Sequence, residues 1–345
     1  MRVFVGMSGG VDSAVSAALL KQEGHDVTGV FIKIWSPEFL ECTWKQDRLD
    51  ALRSAVAIGI PFKEIDLSNE YRDTVIQKMI RVYESGRTPN PDVVCNETIK
   101  FGAFFRWALA AGADKVATGH YARILYNEPV HCYELHRGID KDKDQSYFLH
   151  RLGQEELSQT VFPVGEMEKR EVRQLAHTFS LSVAPRPESQ GLCFVGDITL
   201  PEFLSRYIAP RHGVVVDVHG VLLGEHDGAH LFTLGQRHGM RFSAETDGKP
   251  YYVVKTDIPS NVVTVSHTRE DAAKERCVLE NMHWISGAIP DAEASVRYRS
   301  PGVRCHIEAI AGHSSIRFDM PQIISPGQSV VLYDGSRCLG GGIAA

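Results

Sequence analysis

An eight-residue segment near the start of the chain has the composition of a phosphate-binding loop. Residues 6–13 read Gly-Met-Ser-Gly-Gly-Val-Asp-Ser and lie between an apolar strand-like run and a run with helical spacing of apolar residues. Gly9 and Gly10 lack a Cβ, so the backbone can turn sharply and approach an anion closely. N–H groups at the start of the next helix would point at that anion, and the helix dipole favours its charge. Ser8 and Ser13 add hydroxyl donors, so the segment predicts an anion site.

This loop differs from two common phosphate-binding motifs. A Walker A loop needs Gly-Lys-Ser/Thr where this chain has Val11-Asp12-Ser13, and the dinucleotide fingerprint Gly-x-Gly-x-x-Gly is missing from the sequence. Asp12 would repel a naked phosphate, so we expect Mg²⁺ nearby. The alternative, a glycine turn that binds nothing, would leave two serines and an aspartate at this junction unexplained.

Two of the seven cysteines lie in contexts that suit sulfur chemistry. Cys95 follows Pro89-Asn90-Pro91-Asp92, whose prolines favour an extended loop, and we expect a helix to start just after it. A helix N-terminus favours the thiolate form of a nearby cysteine, and Asp92 is a candidate general acid or base. Cys193 follows Gly191 by two positions, and that glycine allows us to expect an exposed turn there. Two such thiols could transfer sulfur if one carries a persulfide and the other reduces it or forms a transient disulfide with it.

A structural role is the alternative reading of these thiols. Cys95 would then be a buried packing residue, as we expect for the remaining five cysteines. Among those five, Cys42 has the most polar surroundings. The remaining cysteines are Cys42, Cys132, Cys277, Cys305 and Cys338.

The first 120 residues predict the scaffold that would position these groups. Strand-like runs at 3–5, 27–35, 62–67 and 115–118 alternate with helical patterns, which is typical of a doubly wound parallel sheet in an α/β domain. Ligands of such sheets bind beyond the carboxyl ends of the strands. The 6–13 loop and Gly119-His120 both follow predicted strands, so we expect them to line one crevice.

The chain changes character after about residue 199. A helical stretch is predicted over roughly 145–182, and short alternating runs after residue 199 predict small antiparallel sheets. From about residue 274, strand-like runs recur at near ten-residue spacing, which is typical of a small β-barrel. We therefore predict a catalytic α/β domain at 1–198, a small mixed or β domain at 199–268 and a C-terminal β-barrel at 269–345.

Composition restricts the classes of protein that this chain can belong to. Its 345 residues are 43% hydrophobic and 23% charged, as in globular proteins of two or three domains. We expect no signal peptide, membrane span, zinc site or disulfide framework, and hence a reducing cytoplasm. The sequence does not indicate an oligomeric state, and a monomer is the default expectation. The formal net charge of −6 by itself argues against a nucleic-acid partner, although a local basic face can still bind phosphates.

The motifs together resemble those of a known enzyme family. The first loop is similar to the pyrophosphate loop (PP-loop) of the N-type ATP pyrophosphatases, whose fold is adenine nucleotide alpha hydrolase-like. The whole chain resembles the bacterial tRNA-specific 2-thiouridylases, the MnmA family. The segments that carry this resemblance are 6–13, 86–92, 95–96, 99–101, 117–121, 143–149, 162–165, 191–194, 233–237, 326–328 and 339–342.

The resemblance implies a sulfurtransferase reaction and a role for particular residues. ATP would adenylate the C2 oxygen of the wobble uridine, Cys193 would carry the persulfide, Cys95 would be the nucleophile and disulfide partner, and Asp92 the acid or base. A cysteine desulfurase or a relay carrier would supply sulfur, and tRNAs for Glu, Gln and Lys would accept it. The implied ATP contacts are Gly6, Met7, Ser8, Gly9, Gly10, Val11, Asp12, Ser13, Ile32 and Gly119. The implied tRNA contacts are Asn90, Pro91, Asp92, His120, Lys143, Asp144, Gln145, Arg297, Tyr298 and Gln328.

Basic side chains cluster despite the acidic total. Runs at 141–143, 169–173, 206–212 and 297–299 could together follow a phosphate backbone, although each alone also suits a solvated face.

Two functions other than tRNA thiolation are also compatible with the sequence. Another N-type ATP pyrophosphatase, ligating a small molecule, would need neither Cys95 nor Cys193. A non-enzymatic RNA-binding protein would release no pyrophosphate from ATP.

Overall fold

A computed structural model describes residues 1–39, 44–187, 198–243, 248–310 and 313–345. Cys42 and Cys193 lie outside the described residues.

The N-terminal part of the chain builds a parallel sheet covered by helices on both faces. Its central strand is β1, and the strand order is β3-β2-β1-β4-β7, with every pairing parallel. The strands of this part are β1 (Arg2–Gly6), β2 (Asp26–Lys33), β3 (Phe62–Asp66), β4 (Lys115–Ala117), β5 (Ala122–Asn127), β6 (Cys132–Arg137) and β7 (Thr160–Val161).

The helices divide between the two faces of this sheet. One apolar core joins α1, α2 and α8 to the sheet, and the other joins α3 to α6 to it, which confirms the predicted doubly wound fold. The helices are α1 (Val11–Gln22), α2 (Trp44–Ile58), α3 (Ser68–Tyr71), α4 (Gln77–Glu84), α5 (Pro91–Cys95), α6 (Phe105–Ala110), α7 (Gln154–Ser158), α8 (Lys169–Thr178) and α9 (Leu200–Leu204). Arg72–Ile76 and Asn96–Phe104 are π-helical; Glu128–Val130, Ser146–Leu149, Ala229–Leu231 and Arg269–Ala272 are 3₁₀ turns.

The middle of the chain forms one five-stranded sheet of order β10-β9-β8-β12-β11. The expectation of purely antiparallel sheets here is wrong, because β8 and β12 pair in parallel. The strands are β8 (Gly213–Asp217), β9 (Leu222–His226), β10 (Arg241–Phe242), β11 (Tyr252–Asp257) and β12 (Val262–Ser266).

The C-terminal part is the predicted β-barrel. Six antiparallel strands follow the order β13-β16-β15-β14-β17-β18, and pairing of β13 with β18 closes the barrel. The strands are β13 (Lys274–Trp284), β14 (Asp291–Ser295), β15 (Val303–Ile310), β16 (His313–Gln322), β17 (Ser329–Asp334) and β18 (Arg337–Ala344).

A hairpin from the N-terminal part extends the barrel sheet. Strands β5 and β6 pair with each other, and β6 pairs with β18 at Leu135–Cys338 and His136–Arg337. The sequence patterns had assigned no strands to 122–137, so this hairpin is a finding of the structure. Within the described parts of the chain, every helix is too short or too polar to cross a bilayer.

Candidate active site

The phosphate loop lies where β1 ends and α1 begins. The Ser13 hydroxyl accepts from the Ser8 N–H at 3.2 Å and donates to the Gly10 carbonyl at 3.2 Å. Gly9 has φ +80°, and a Cβ there would collide with the backbone carbonyl of Asp47. The loop is therefore held both by its own serines and by close packing against α2.

Residues of the neighbouring strands meet this loop. Because β1 lies between β2 and β4, the loop lies between Ile32 of β2 and Gly119, which follows β4. A Cβ at Gly119 would be 2.6 Å from the Ser13 nitrogen, so glycine is required for β4 to end this close to α1. The structure thus brings together the predicted ATP contacts at one end of the sheet, as the strand order requires.

A lysine from a distant part of the chain brings a positive charge to the phosphate loop, which itself contains no lysine. Lys169, the first residue of α8, donates from Nζ to Asp12 Oδ1 at 2.6 Å, and the Tyr121 hydroxyl donates to the same oxygen at 2.8 Å. Sequence reasoning had placed Lys169 in a basic run for RNA. Its approach to Asp12, across 157 residues of sequence, had no local signal.

Arg186 is a second contact that sequence reasoning missed. Its guanidinium donates to the Gly9 carbonyl at 2.9 Å and forms ion pairs with Asp47 and, at 3.0 Å, with Asp50 of α2. One side chain therefore joins the phosphate loop, α2 and the chain just before residues 188–197.

Asp92 and Cys95 lie in the first turns of one helix. Asn90 caps α5 by accepting from the Val93 N–H at 3.2 Å, and Pro91 is the first helical residue. The expectation that a helix starts after Cys95 is wrong, because α5 begins at Pro91 and Cys95 is its last residue. The dipole argument for a thiolate therefore weakens, since that field falls off within the first turn. Burial raises the pKa of Asp92, while nearby Lys100 opposes that rise.

His120 is buried beside the phosphate loop. Its Nδ1 is 2.7 Å from the Thr118 hydroxyl and its Nε2 is 3.4 Å from Lys100 Nζ. Burial and the Lys100 charge hold the pKa of His120 well below its usual range, so the ring is neutral. Only 7% of its surface is exposed, so the ring mainly contacts Thr118 and Lys100. Its contact with RNA stays a prediction.

Three further predicted RNA contacts, Lys143, Asp144 and Tyr298, lie around the 3₁₀ turn Ser146–Leu149. Tyr298 packs on Phe148 at 4.4 Å between ring centroids and on Tyr147 at 6.1 Å. Lys143 and Asp144 are close enough to influence the pKa of Tyr298. Asp144 is buried and accepts from the N–H groups of Gly138 and Ser146, each at 3.1 Å.

Three other predicted contacts also have structural partners. Gln145 Oε1 accepts from the Tyr121 N–H at 3.0 Å, which links it to the loop after β4. Arg297 donates to the Leu234 carbonyl at 2.7 Å, and Gln328 accepts from the Ser325 N–H at 3.2 Å. These contacts orient the side chains; their contact with RNA stays a prediction.

The segment before α5 is held by all three parts of the chain. Arg87 donates to Glu280 at 2.7 Å and to the Ala344 carbonyl at 2.9 Å, both in the barrel. Thr88 donates its N–H to the Pro326 carbonyl at 2.7 Å, and its hydroxyl is 3.1 Å from that of Thr233, between β9 and β10 in the middle part of the chain. Asp92 and Cys95 are thus fixed where the three parts of the chain meet, and not on an isolated loop.

Among the described residues, no cluster of three or more His, Cys, Asp or Glu side chains could hold a metal.

Family models match the chain in three consecutive pieces. They are described as a tRNA methyl transferase HUP domain over residues 1–197, a tRNA methyl transferase PRC-barrel domain over 201–267 and an aminomethyltransferase beta-barrel domain over 274–344.

Curated relatives match over nearly the full length. The chain is 44% identical to the tRNA-specific 2-thiouridylase MnmA of Acidovorax ebreus (strain TPSY), across 100% of this chain and 98% of that protein. It is 42% identical to the tRNA-specific 2-thiouridylase MnmA of Geobacillus thermodenitrificans (strain NG80-2), across 99% and 94%. Among solved structures, the U34-tRNA thiolase NcsA from Methanococcus maripaludis aligns with a TM-score of 0.38 and 18% identity, over 56% of this chain and 60% of that one.

Proposed function

Because this chain belongs to the MnmA family of tRNA-specific 2-thiouridylases, we propose that it converts the wobble uridine of certain tRNAs to 2-thiouridine. The observation that carries the proposal is the 44% identity to such an enzyme over the whole chain. The phosphate loop and the α5 cysteine also fit this reaction, since it needs both an activated oxygen and a sulfur nucleophile. We expect tRNAs for Glu, Gln and Lys as substrates.

ATP is the proposed co-substrate, bound with Mg²⁺ at the phosphate loop. The loop N–H groups, the two serine hydroxyls and Lys169 supply the donors and positive charge that a triphosphate needs. Asp12 fits a Mg²⁺ ion shared with phosphate oxygens, since Mg²⁺ is commonly held by one or two carboxylates plus the substrate. The ion would screen the phosphate charge from Asp12.

The proposed chemistry begins at the uracil oxygen. The C2 oxygen attacks the α-phosphorus, pyrophosphate leaves, and the Asp92 carboxylate accepts the proton lost from N3. The adenylated oxygen is now a leaving group, as an unactivated amide-like carbonyl oxygen is not. The burial that raises the pKa of Asp92 suits it to take up and return a proton nearer neutral pH.

Sulfur then replaces AMP in two steps. The terminal sulfur of a persulfide on Cys193 attacks C2 and AMP departs, leaving a C2–S–S–Cys193 linkage. The Cys95 thiolate attacks the Cys193 sulfur, which breaks the linkage, forms a Cys95–Cys193 disulfide and releases 2-thiouridine after N3 regains its proton. A thiol reductant and a new persulfide, supplied by a cysteine desulfurase or a sulfur-relay carrier, reset the enzyme.

The anchors of the chain on each side of residues 188–197 support this pairing of cysteines. Arg186 binds the phosphate loop, and Ile198 packs on the apolar cluster that Cys95 also borders. Cys193 itself, outside the described residues, lies five positions before Ile198 in the sequence.

The test is nucleoside mass spectrometry of unmodified tRNA after incubation with the full chain, ATP and a cysteine desulfurase with cysteine. We expect 2-thiouridine at the wobble position and one pyrophosphate per modified base. Cys193→Ser and Cys95→Ser should each abolish product under these conditions, whereas the control Cys132→Ser, in the β5–β6 hairpin, should leave it unchanged.

Each alternative gives a different result in this assay. A methylated base would point to methyl transfer, the activity named in the family-model descriptions. ATP cleavage that needs no tRNA and survives both cysteine substitutions would favour small-molecule ligation, and tRNA binding without pyrophosphate release would favour a non-enzymatic RNA-binding protein.

A further inference from the structure

Lys100 is close to two of the candidate site residues, Asp92 and His120, and the sequence assigns no role to it. Its Nζ is 3.4 Å from His120 Nε2, and its charge acts on the Asp92 carboxyl. Because an ammonium only donates, His120 Nε2 must accept, which places the ring proton on Nδ1, 2.7 Å from the Thr118 hydroxyl. His120 is therefore fixed in one neutral tautomer by partners on both sides.

The winding of the helix brings Lys100 towards the side that carries Asp92. In a continuous α-helix, residues eight apart are rotated by about 80° from each other. Residues Asn96–Phe104 instead wind as a π-helix, with hydrogen bonds five residues apart and hence more residues per turn. A π-helix rotates by less than about 100° per residue, so the step from Asp92 to Lys100 comes closer to two full turns than it would in an α-helix. Such π-helical insertions frequently occur at functional sites.

We propose that Lys100 is a positioning residue for thiolation, whose ammonium keeps the Asp92 side chain a carboxylate and fixes the His120 imidazole next to Gly119. The inference rests on the proposed function, in which Asp92 accepts a proton. In this proposal the π-helical segment places the Lys100 ammonium close to both the helix that contains Cys95 and the residues that follow β4.

The other ionisable groups on the elements packed against α5 are already engaged. Arg72 and Asp73 of the first π-helical segment pair at 2.9 Å, and Glu97 of the second pairs with Arg151 at 3.2 Å. Tyr147 of the 3₁₀ turn has its pKa raised by burial and stays neutral. Lys100, by contrast, acts on Asp92, where it lowers a pKa that burial raises.

The sign of the effect follows from this opposition. A carboxylate that accepts a proton must be ionised, so the reaction rate falls as the pH drops through the pKa of Asp92. Removal of the Lys100 charge raises that pKa, and the acid limb of the pH–rate profile must move to higher pH.

The experiment measures single-turnover thiolation by the full chain between pH 5 and 9 for the wild type, Lys100→Met, Lys100→Arg and the control Lys255→Met on exposed β11. Lys100→Met should shift the acid limb upward by about one pH unit, the lower end of the effect of a nearby opposite charge. Lys100→Arg, which keeps the charge, should restore most of the wild-type profile, and Lys255→Met should match it.

Two outcomes would overturn the inference. One is an active Lys100→Met enzyme with an unshifted limb; the other is an equal shift in Lys100→Arg, which would mean that shape rather than charge matters. If Lys100→Met does not fold, as judged by circular dichroism, Lys100→Gln replaces it under the same criteria. A wild-type enzyme that thiolates no tRNA would refute the proposed function itself, and the inference with it.

Discussion

Gly9 shows how a single atom can decide whether the phosphate loop forms. Its φ of +80° is strained for any other residue, and a Cβ would also strike the carbonyl of Asp47. We expect Gly9→Ala to push α2 away from the loop and weaken ATP binding by about tenfold or more, which is about 1.4 kcal/mol. Isothermal titration with a non-hydrolysable ATP analogue measures this loss.

Gly24 provides the matched control for that substitution. Its φ is +83°, and nothing lies within 4 Å of a Cβ at this position. Gly24→Ala should therefore cost only the backbone strain, about 1–2 kcal/mol of stability, with ATP affinity unchanged. Equal affinities for the two variants would show that the contact with Asp47 is irrelevant to the loop.

Among the elements, the β5–β6 hairpin depends on one buried charge network. Glu134 is 8% exposed and accepts from Asn127 at 2.8 Å and from Arg337 of β18 at 3.1 Å. Burial opposes its ionisation, but the hydrogen bonds from Asn127, His136 and Arg337 outweigh burial and lower the pKa of Glu134. The network therefore stabilises the protein above the unfolded pKa of about 4.3, and this stability is lost as the pH falls below it.

Arg337→Met should reveal the strength of this network. It leaves Glu134 buried without its cation, so the free energy of unfolding should fall by about 2–3 kcal/mol at pH 7. At pH 3, below the unfolded pKa of about 4.3, the difference from wild type should be smaller, because a carboxylate with a lowered pKa contributes its full stability only above the unfolded pKa. Urea unfolding at both pH values measures the two free energies of unfolding.

Arg276→Met is the control, because it breaks the more exposed ion pair with Glu308 in the barrel. It should cost at most about 1 kcal/mol, and an equal loss of stability in both variants would contradict the argument.

The same hairpin shows where prediction from sequence stops. The phosphate loop, the parallel sheet and the barrel follow from local signals: glycines at a strand end, apolar periodicity and regular turn spacing. The pairing of β6 with β18, the contact of Lys169 with Asp12 and the reach of Arg186 join residues more than 130 positions apart. No local pattern encodes such partners, because they depend on how finished elements pack. The π-helical winding after Cys95 was missed for the related reason that it is set by packing.

At the scale of the whole molecule, the three parts of the chain meet at the segment that leads into α5. Arg87 bonds to the barrel, and Thr88 contacts the segment between β9 and β10 in the middle part of the chain. Arg297, which follows β14 of the barrel, donates to that same segment. The cysteine and aspartate proposed for chemistry thus depend on the correct docking of parts far away in sequence. A small displacement of either part would move Asp92 relative to the phosphate loop.

Gly86, one residue before Arg87, allows this dependence to be measured. Its φ is +73°, and a Cβ would collide with the side chain of Ile258, the residue that follows β11 of the middle sheet. We expect Gly86→Ala to lower the single-turnover thiolation rate at least tenfold, which corresponds to about 1.4 kcal/mol. ATP binding should persist, because the phosphate loop lies elsewhere.

The double variant Gly86→Ala with Ile258→Ala should regain much of the rate, since the collision is removed and only backbone strain remains. A double-mutant cycle on the rate should then give a coupling of about 1 kcal/mol or more. Gly220→Ala, at φ +84° with nothing within 4 Å, controls for the strain alone; a cycle with no coupling would mean that docking of the middle sheet does not set the geometry around Asp92 and Cys95.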